Sequence, residues 1–156
     1  MKTSFKGLLV AIVAASVIAA PAAAEVKLGS LSAVTGPIPE LVADIVDAER
    51  AAVADINANG GVLGDTLSLV VADGQCDAKA AVDAANKLVN VEQVVAIVGG
   101  ICSGATIGAA EAVTVPAGVV SVSPSATSPA ITGLDDKDLV FRTAPSDAYQ
   151  GVALAG

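Results

Sequence analysis

From Glu25 onward, short β-branched runs alternate with longer alanine-rich stretches in which apolar residues recur every three or four positions. That alternation predicts βαβ units and a parallel sheet. Residues 26–31 form the first predicted strand, and the loop that follows is interrupted by Pro37 and Pro39. Val42, Ile45, Val46, Ala52, Val53 and Ile56 fall on one helical face, which predicts a helix over residues 40–57. Asn59-Gly60-Gly61 ends it, because glycine reaches the positive φ of a helix stop without steric cost.

The same alternation continues. Residues 67–72 read as a second strand, and Asp77 as the N-cap of a helix presenting Ala81, Val82, Ala85, Leu88 and Val89 on one face. The uninterrupted apolar run 94–98 predicts a strand covered on both sides. A third helix is expected over residues 103–113, strands over 119–122 and 139–142, and a further helix opening at Asp147 and cut off at Gly156. The fold class is therefore α/β, a doubly wound parallel sheet with helices on both faces.

Residues 1–24 follow a different rule. Lys2 and Lys6 precede an apolar run that ends at Pro21 and Ala22-Ala23-Ala24, the pattern of a secretory signal peptide cleaved after Ala24. The run is shorter than the ~20 residues of a spanning helix. Beyond it, six basic groups face 16 acidic ones, a net charge of −10. Such a balance argues against binding to nucleic acid or to an anionic membrane surface.

Composition also narrows the chemistry. The chain has no histidine, so a Ser-His-Asp arrangement is impossible, and the cysteine spacing matches no zinc pattern. Gly29-Ser30-Leu31-Ser32 follows the first strand where a nucleotide-binding fold carries G-x-G-x-x-G. Neither catalytic residues, nor a metal, nor a cofactor is predicted. Cys76 and Cys102 are the only cysteines, 26 residues apart. In an exported protein a disulfide is expected, with two buried thiols as the alternative.

Ligands of open α/β sheets bind beyond the carboxyl ends of the strands. This places the loops starting at Ser32, Asp73, Gly99 and Ser123 around one site. Ser103, at a predicted helix start, offers a hydroxyl and backbone N–H groups to a carboxylate. Thr127, through its hydroxyl, and Ser125, through its carbonyl, offer acceptors to an ammonium group. Taken singly, Ser103 reads as a helix cap and the loop 124–128 as ordinary turn composition.

Several segments carry a resemblance. Glu25-Val26-Lys27-Leu28-Gly29, Thr35-Gly36-Pro37, Asp55-Ile56-Asn57-Ala58-Asn59-Gly60-Gly61, Cys76-Asp77-Ala78-Lys79, Cys102-Ser103, Ser123-Pro124-Ser125-Ala126-Thr127 and Arg142-Thr143 occur in this order. Residues 25–156 resemble the N-terminal lobe of the leucine/isoleucine/valine-binding proteins of bacterial ABC transporters. The resemblance implies a periplasmic, monomeric, two-lobed clamshell that closes over an amino acid and delivers it to membrane permease subunits. It implies an N-terminal lobe over residues 25–145 and the start of a hinge or second lobe over 146–156, with the remainder of that lobe missing. It assigns the α-carboxylate to Ser103 and the ammonium to Ser125 and Thr127, and it pairs Cys76 with Cys102. Leu41 stands near the position where related binders carry an aromatic residue over the ligand side chain, so small polar amino acids, amides and other carboxylates stay open as ligands. A ligand-sensing domain of a receptor or regulator, and a fragment that binds nothing, are the other readings.

Overall fold

The computed structural model describes residues 25–156, so the predicted signal peptide lies outside the described residues. Five strands, β1 (Glu25–Ser32), β2 (Thr66–Asp73), β3 (Ala96–Gly99), β4 (Val120–Ser123) and β5 (Val140–Arg142), form one sheet in the order β2-β1-β3-β4-β5. Every neighbouring pair is parallel, with Leu28 opposite both Leu69 and Ala96, and Val122 opposite both Val98 and Phe141. The chain leaves β1 toward β2 and then crosses back to β3. The order thus reverses between β1 and β3, which makes the crevice at their carboxyl ends the switch point where open α/β sheets take ligands.

Helices cover both faces. On one side α2 (Ala78–Asn86), the turn that continues it and α3 (Ser103–Ala109) pack Ala81, Ala85, Leu88, Ala105 and Ala109 against Leu31 and Ile97. Alanine on both helices lets their backbones approach closely, and full burial of a side chain such as Leu88 contributes about 1.5–3 kcal/mol. On the other side α1 (Pro39–Ala58) places Val42 and Val46 against Ala33, Val71 and Ile101. The alternation of β1 follows: Leu31 faces the α2/α3 cluster, while buried Ser30 and Ser32 bond to each other at 3.0 Å. Asn57, at the end of α1, donates to Leu67 O and accepts from Leu67 N, both at 2.8 Å, and so sets where β2 begins.

Most predicted boundaries fall within a residue or two of the observed ones. Gly60 and Gly61 do carry positive φ, 104° and 74°, and Asp77 caps α2 by accepting from Ala80 N at 2.8 Å. Three departures have physical causes. Val94 does not enter β3, because its N–H is taken by Leu88 O at 3.1 Å; contact with β1 begins only at Val95, whose N–H donates to Lys27 O at 2.9 Å. The helices after β2 and β3 continue through π-helical turns, Lys87–Val91 and Ala110–Thr114, and the second runs into α4 (Val115–Ala117). Pro116 stands in α4 and supplies no N–H to the ladder, and Gly118 at φ 71° stops it. A short helix, α5 (Pro129–Thr132), occupies what reads as loop, with Ser128 accepting from Ala130 N at its start.

The last helix, α6 (Asp147–Ala155), has no buried residue. Among the described residues no helix is long and apolar enough to cross a membrane, and no group of three His, Cys, Asp or Glu side chains is placed to hold a metal ion.

Candidate functional site

Two glycines shape the crevice at the switch point. Gly99 has φ 118°, and a Cβ there would stand 2.3 Å from Leu31 O; at Gly100, with φ 71°, it would stand 2.6 Å from Thr106 Oγ1. Only a residue without a side chain lets the end of β3 lie this close to β1 and to the first turn of α3. Gly100 N–H donates to Leu31 O at 2.6 Å, and Gly100 O accepts from Thr106 Oγ1 at 2.6 Å and from buried Ser123 Oγ at 2.7 Å. Ser123 Oγ in turn accepts from Ala126 N at 3.0 Å. The loop after β3 and the loop after β4 are therefore held as one unit through a buried polar network.

The predicted residues come together on that unit. Ser103 opens α3, and its Oγ accepts from Ser128 N at 3.2 Å, which leaves the serine proton free to donate. The first bond of this helical stretch runs from Thr106 N to Cys102 O at 2.9 Å, so the N–H groups of Ser103, Gly104 and Ala105 stand outside the ladder. Ser125 spends its proton inward, on Ile101 O at 2.8 Å. Thr127 spends its proton on Asp147 Oδ2 at 3.0 Å, so its lone pairs remain to accept. Leu41, by contrast, is 69% exposed on the first turns of α1.

Residues that sequence reasoning passed over hold this loop in place. Arg142, at the end of β5, donates to Ser128 O at 2.8 Å, to Ala126 O at 3.4 Å and to Thr132 Oγ1. Asp147 N–H donates to Thr127 O at 2.9 Å. The sequence signals were the position of Arg142 at a strand's carboxyl end, its place in the resembling segment Arg142-Thr143, and an Asp in the first turn of a helix, and none of them names a partner.

The rim is braced on the other side. Cys76 and Cys102 are joined by a disulfide with Cα atoms 5.2 Å apart, linking the loops after β2 and β3. Gln75 and Cys76 adopt φ of 53° and 57°, a left-handed conformation that costs free energy for residues with side chains. Asp73 offsets part of this by accepting from Gln75 N at 3.1 Å, and it accepts also from Thr35 N at 3.2 Å and Thr35 Oγ1 at 2.5 Å. Burial alone would raise its pKa, but the Thr35 hydroxyl and N–H and the Gln75 N–H together hold the carboxyl below the ordinary aspartate value. On α1, burial raises the pKa of Glu49, offset in part by the Ser30 hydroxyl and the Arg50 charge, and its Oε2 is buried without a hydrogen-bond partner.

What the crevice offers is thus a hydroxyl free to donate, adjoining N–H groups, and on the neighbouring loop a hydroxyl free to accept. Comparison with known proteins identifies the family. The chain is 35% identical over 155 residues to the Leu/Ile/Val-binding protein of Citrobacter freundii, covering 99% of this chain and 41% of that protein. The crystal structure of the branched-chain amino acid transporter substrate-binding protein LivJ of Streptococcus pneumoniae in complex with isoleucine superposes with a TM-score of 0.73 at 29% identity, covering 80% of this chain and 35% of that one. The leucine-binding protein LivK of Thermotoga maritima gives 0.73 at 28% identity, covering 83% and 35%. The chain spans about two-fifths of the length of the curated relatives it matches. Residues 25–156 match the periplasmic binding protein family profile, and the chain belongs to that family.

Proposed function

We propose that this chain supplies one wall of a solute-binding site that captures an α-amino acid of the branched-chain type and, as part of a longer protein, hands it to the permease of an ABC transporter. One observation carries the reading: Ser103 and Thr127, on adjoining loops at the switch point, have hydroxyls of opposite free polarity. Ser103 with the N–H groups of its turn meets the carboxylate; Thr127 Oγ1 and Ser125 O meet the ammonium. A zwitterion satisfies both, whereas a simple anion leaves the acceptors unpaired at a cost of about 1–3 kcal/mol per buried group. The names of the relatives support the aliphatic class.

The rest of the assignment follows this reading. Residues 1–24 direct export, residues 25–145 form the ligand-binding lobe, and residues 146–156 lead toward a second lobe that closes the site. The protein acts as a monomer in the periplasm and carries out no chemistry on its ligand. Leu41, exposed on the first turns of α1, would meet the side chain of a bound amino acid after closure.

The test is a chemical-shift titration of the two-lobed protein that contains residues 25–156 with leucine, isoleucine, valine and a panel of other amino acids. Leucine-type ligands are expected to bind it and to move the amides of Ser103, Gly104 and Thr127, whereas residues 25–156 alone, with one wall of the site, are expected to bind too weakly for easy detection. Silence at those amides across the whole panel would remove the amino-acid assignment.

A further inference from the structure

We infer that Asp147 is a positioning residue for the ammonium subsite: it fixes the hydroxyl of Thr127 as an acceptor. This rests on the amino-acid reading above and adds the residue that sets the polarity of that site. A threonine hydroxyl rotates, and it offers a ligand either its proton or its lone pairs. An ammonium group has three protons and no acceptor, so a hydroxyl turned as a donor toward it is repelled. Asp147 removes that choice. Its carboxylate has no proton to give, so the 3.0 Å contact with Thr127 Oγ1 consumes the threonine's only hydrogen. Asp147 N–H donates to Thr127 O at 2.9 Å, so the two residues are tied at backbone and side chain and the carboxylate stays in register with the hydroxyl.

The opposite device operates at the other subsite, and the contrast identifies the function of each. Ser103 Oγ receives a backbone proton from Ser128 and is left with a hydrogen to donate. Thr127 Oγ1 gives its hydrogen away and is left with lone pairs. Asp147 belongs to α6, which has no buried residue, so its bond to Thr127 does not serve core packing. Selection between an amino acid and the corresponding acid without an amino group therefore depends on a residue that need not touch the ligand.

The experiment compares leucine with 4-methylpentanoate, its analogue lacking the amino group, by chemical-shift titration of the two-lobed protein as wild type, Asp147→Ala, Thr127→Val and the double variant. Asp147→Ala is expected to weaken leucine at least tenfold, or beyond the titration range, and to leave 4-methylpentanoate within about twofold. In the Thr127→Val background the Asp147 substitution is expected to add less than twofold for leucine. The retained 4-methylpentanoate binding reports that each variant is folded. Equal weakening of both ligands, or full additivity of the two substitutions, would overturn the positioning role while leaving the amino-acid reading in place. Absence of leucine binding by the wild-type two-lobed protein would overturn the amino-acid reading and this inference with it.

Discussion

Ser103 Oγ accepts the backbone N–H of Ser128 at 3.2 Å, across 25 residues of sequence, and so joins the first turn of α3 to the loop that follows β4. Removing that hydroxyl acts on two levels. On the proposed reading it deletes a charge-assisted donor to the ligand carboxylate, and it leaves the Ser128 N–H, which is partly buried, without its acceptor.

Ser103→Ala is expected to lower leucine affinity by about 1.5–3 kcal/mol, the range for hydrogen bonds to charged groups. Leucinamide, which lacks the carboxylate, should lose much less. Titration of both ligands against wild type and variant checks this, and an equal loss for the two would displace Ser103 from the carboxylate.

The disulfide closes a 26-residue separation between the rim loops. On the chain-entropy account it contributes about 3.5 kcal/mol. Cys76→Ser with Cys102→Ser is expected to lower the urea midpoint by a corresponding amount. Amide exchange should quicken first at Gln75 and Cys76, whose left-handed backbone the bridge helps to hold. A midpoint unchanged by the double substitution would refute that contribution.

Asp73 makes stability depend on acid in a defined direction. Its folded pKa lies below the ordinary value of 3.8, so the carboxylate stabilises the fold above that pH, and the contribution is lost as pH falls through the folded value. Asp73→Asn should melt below wild type at neutral pH, and the two melting curves should converge under acid. Measuring both midpoints from neutral pH down to about pH 3 decides the matter, since parallel curves would mean that the Thr35 and Gln75 bonds do not depend on the charge.

Glu49 has the opposite sign. Its folded pKa lies above the ordinary 4.5, so the buried carboxylate costs stability at neutral pH, and that cost disappears as pH falls through the folded value. Glu49→Gln is expected to raise the melting temperature near pH 7 and to have little effect below 4.5. A variant less stable than wild type at pH 7 would show that Glu49 has a partner worth more than its desolvation.

Much of this was legible in the chain itself, for reasons that are local. The hydrophobic period switches at each strand and helix, Asp77 stands where a cap is needed, and Gly60 with Gly61 supplies the stop after α1. What escaped depends on contacts across the fold. Nothing in the apolar run around Val94 announces that Leu88 O captures its N–H, so β3 starts later than the run does. The π-helical turns carry no composition signal beyond Pro116 just after the second of them. At the site, the hydroxyl-bearing residues could be named from sequence, but the direction of each hydroxyl depends on Ser128, Ile101 and Asp147, between 20 and 25 residues away.

Ser128 occupies an unusual junction among these partners. Its N–H reaches Ser103, its hydroxyl accepts from Ala130 N at the start of α5, and its carbonyl accepts from Arg142 of β5. One residue therefore ties the first turn of α3 to β5 at the edge of the sheet. On the proposed reading, a substitution at Arg142 would reach the binding crevice without touching the ligand.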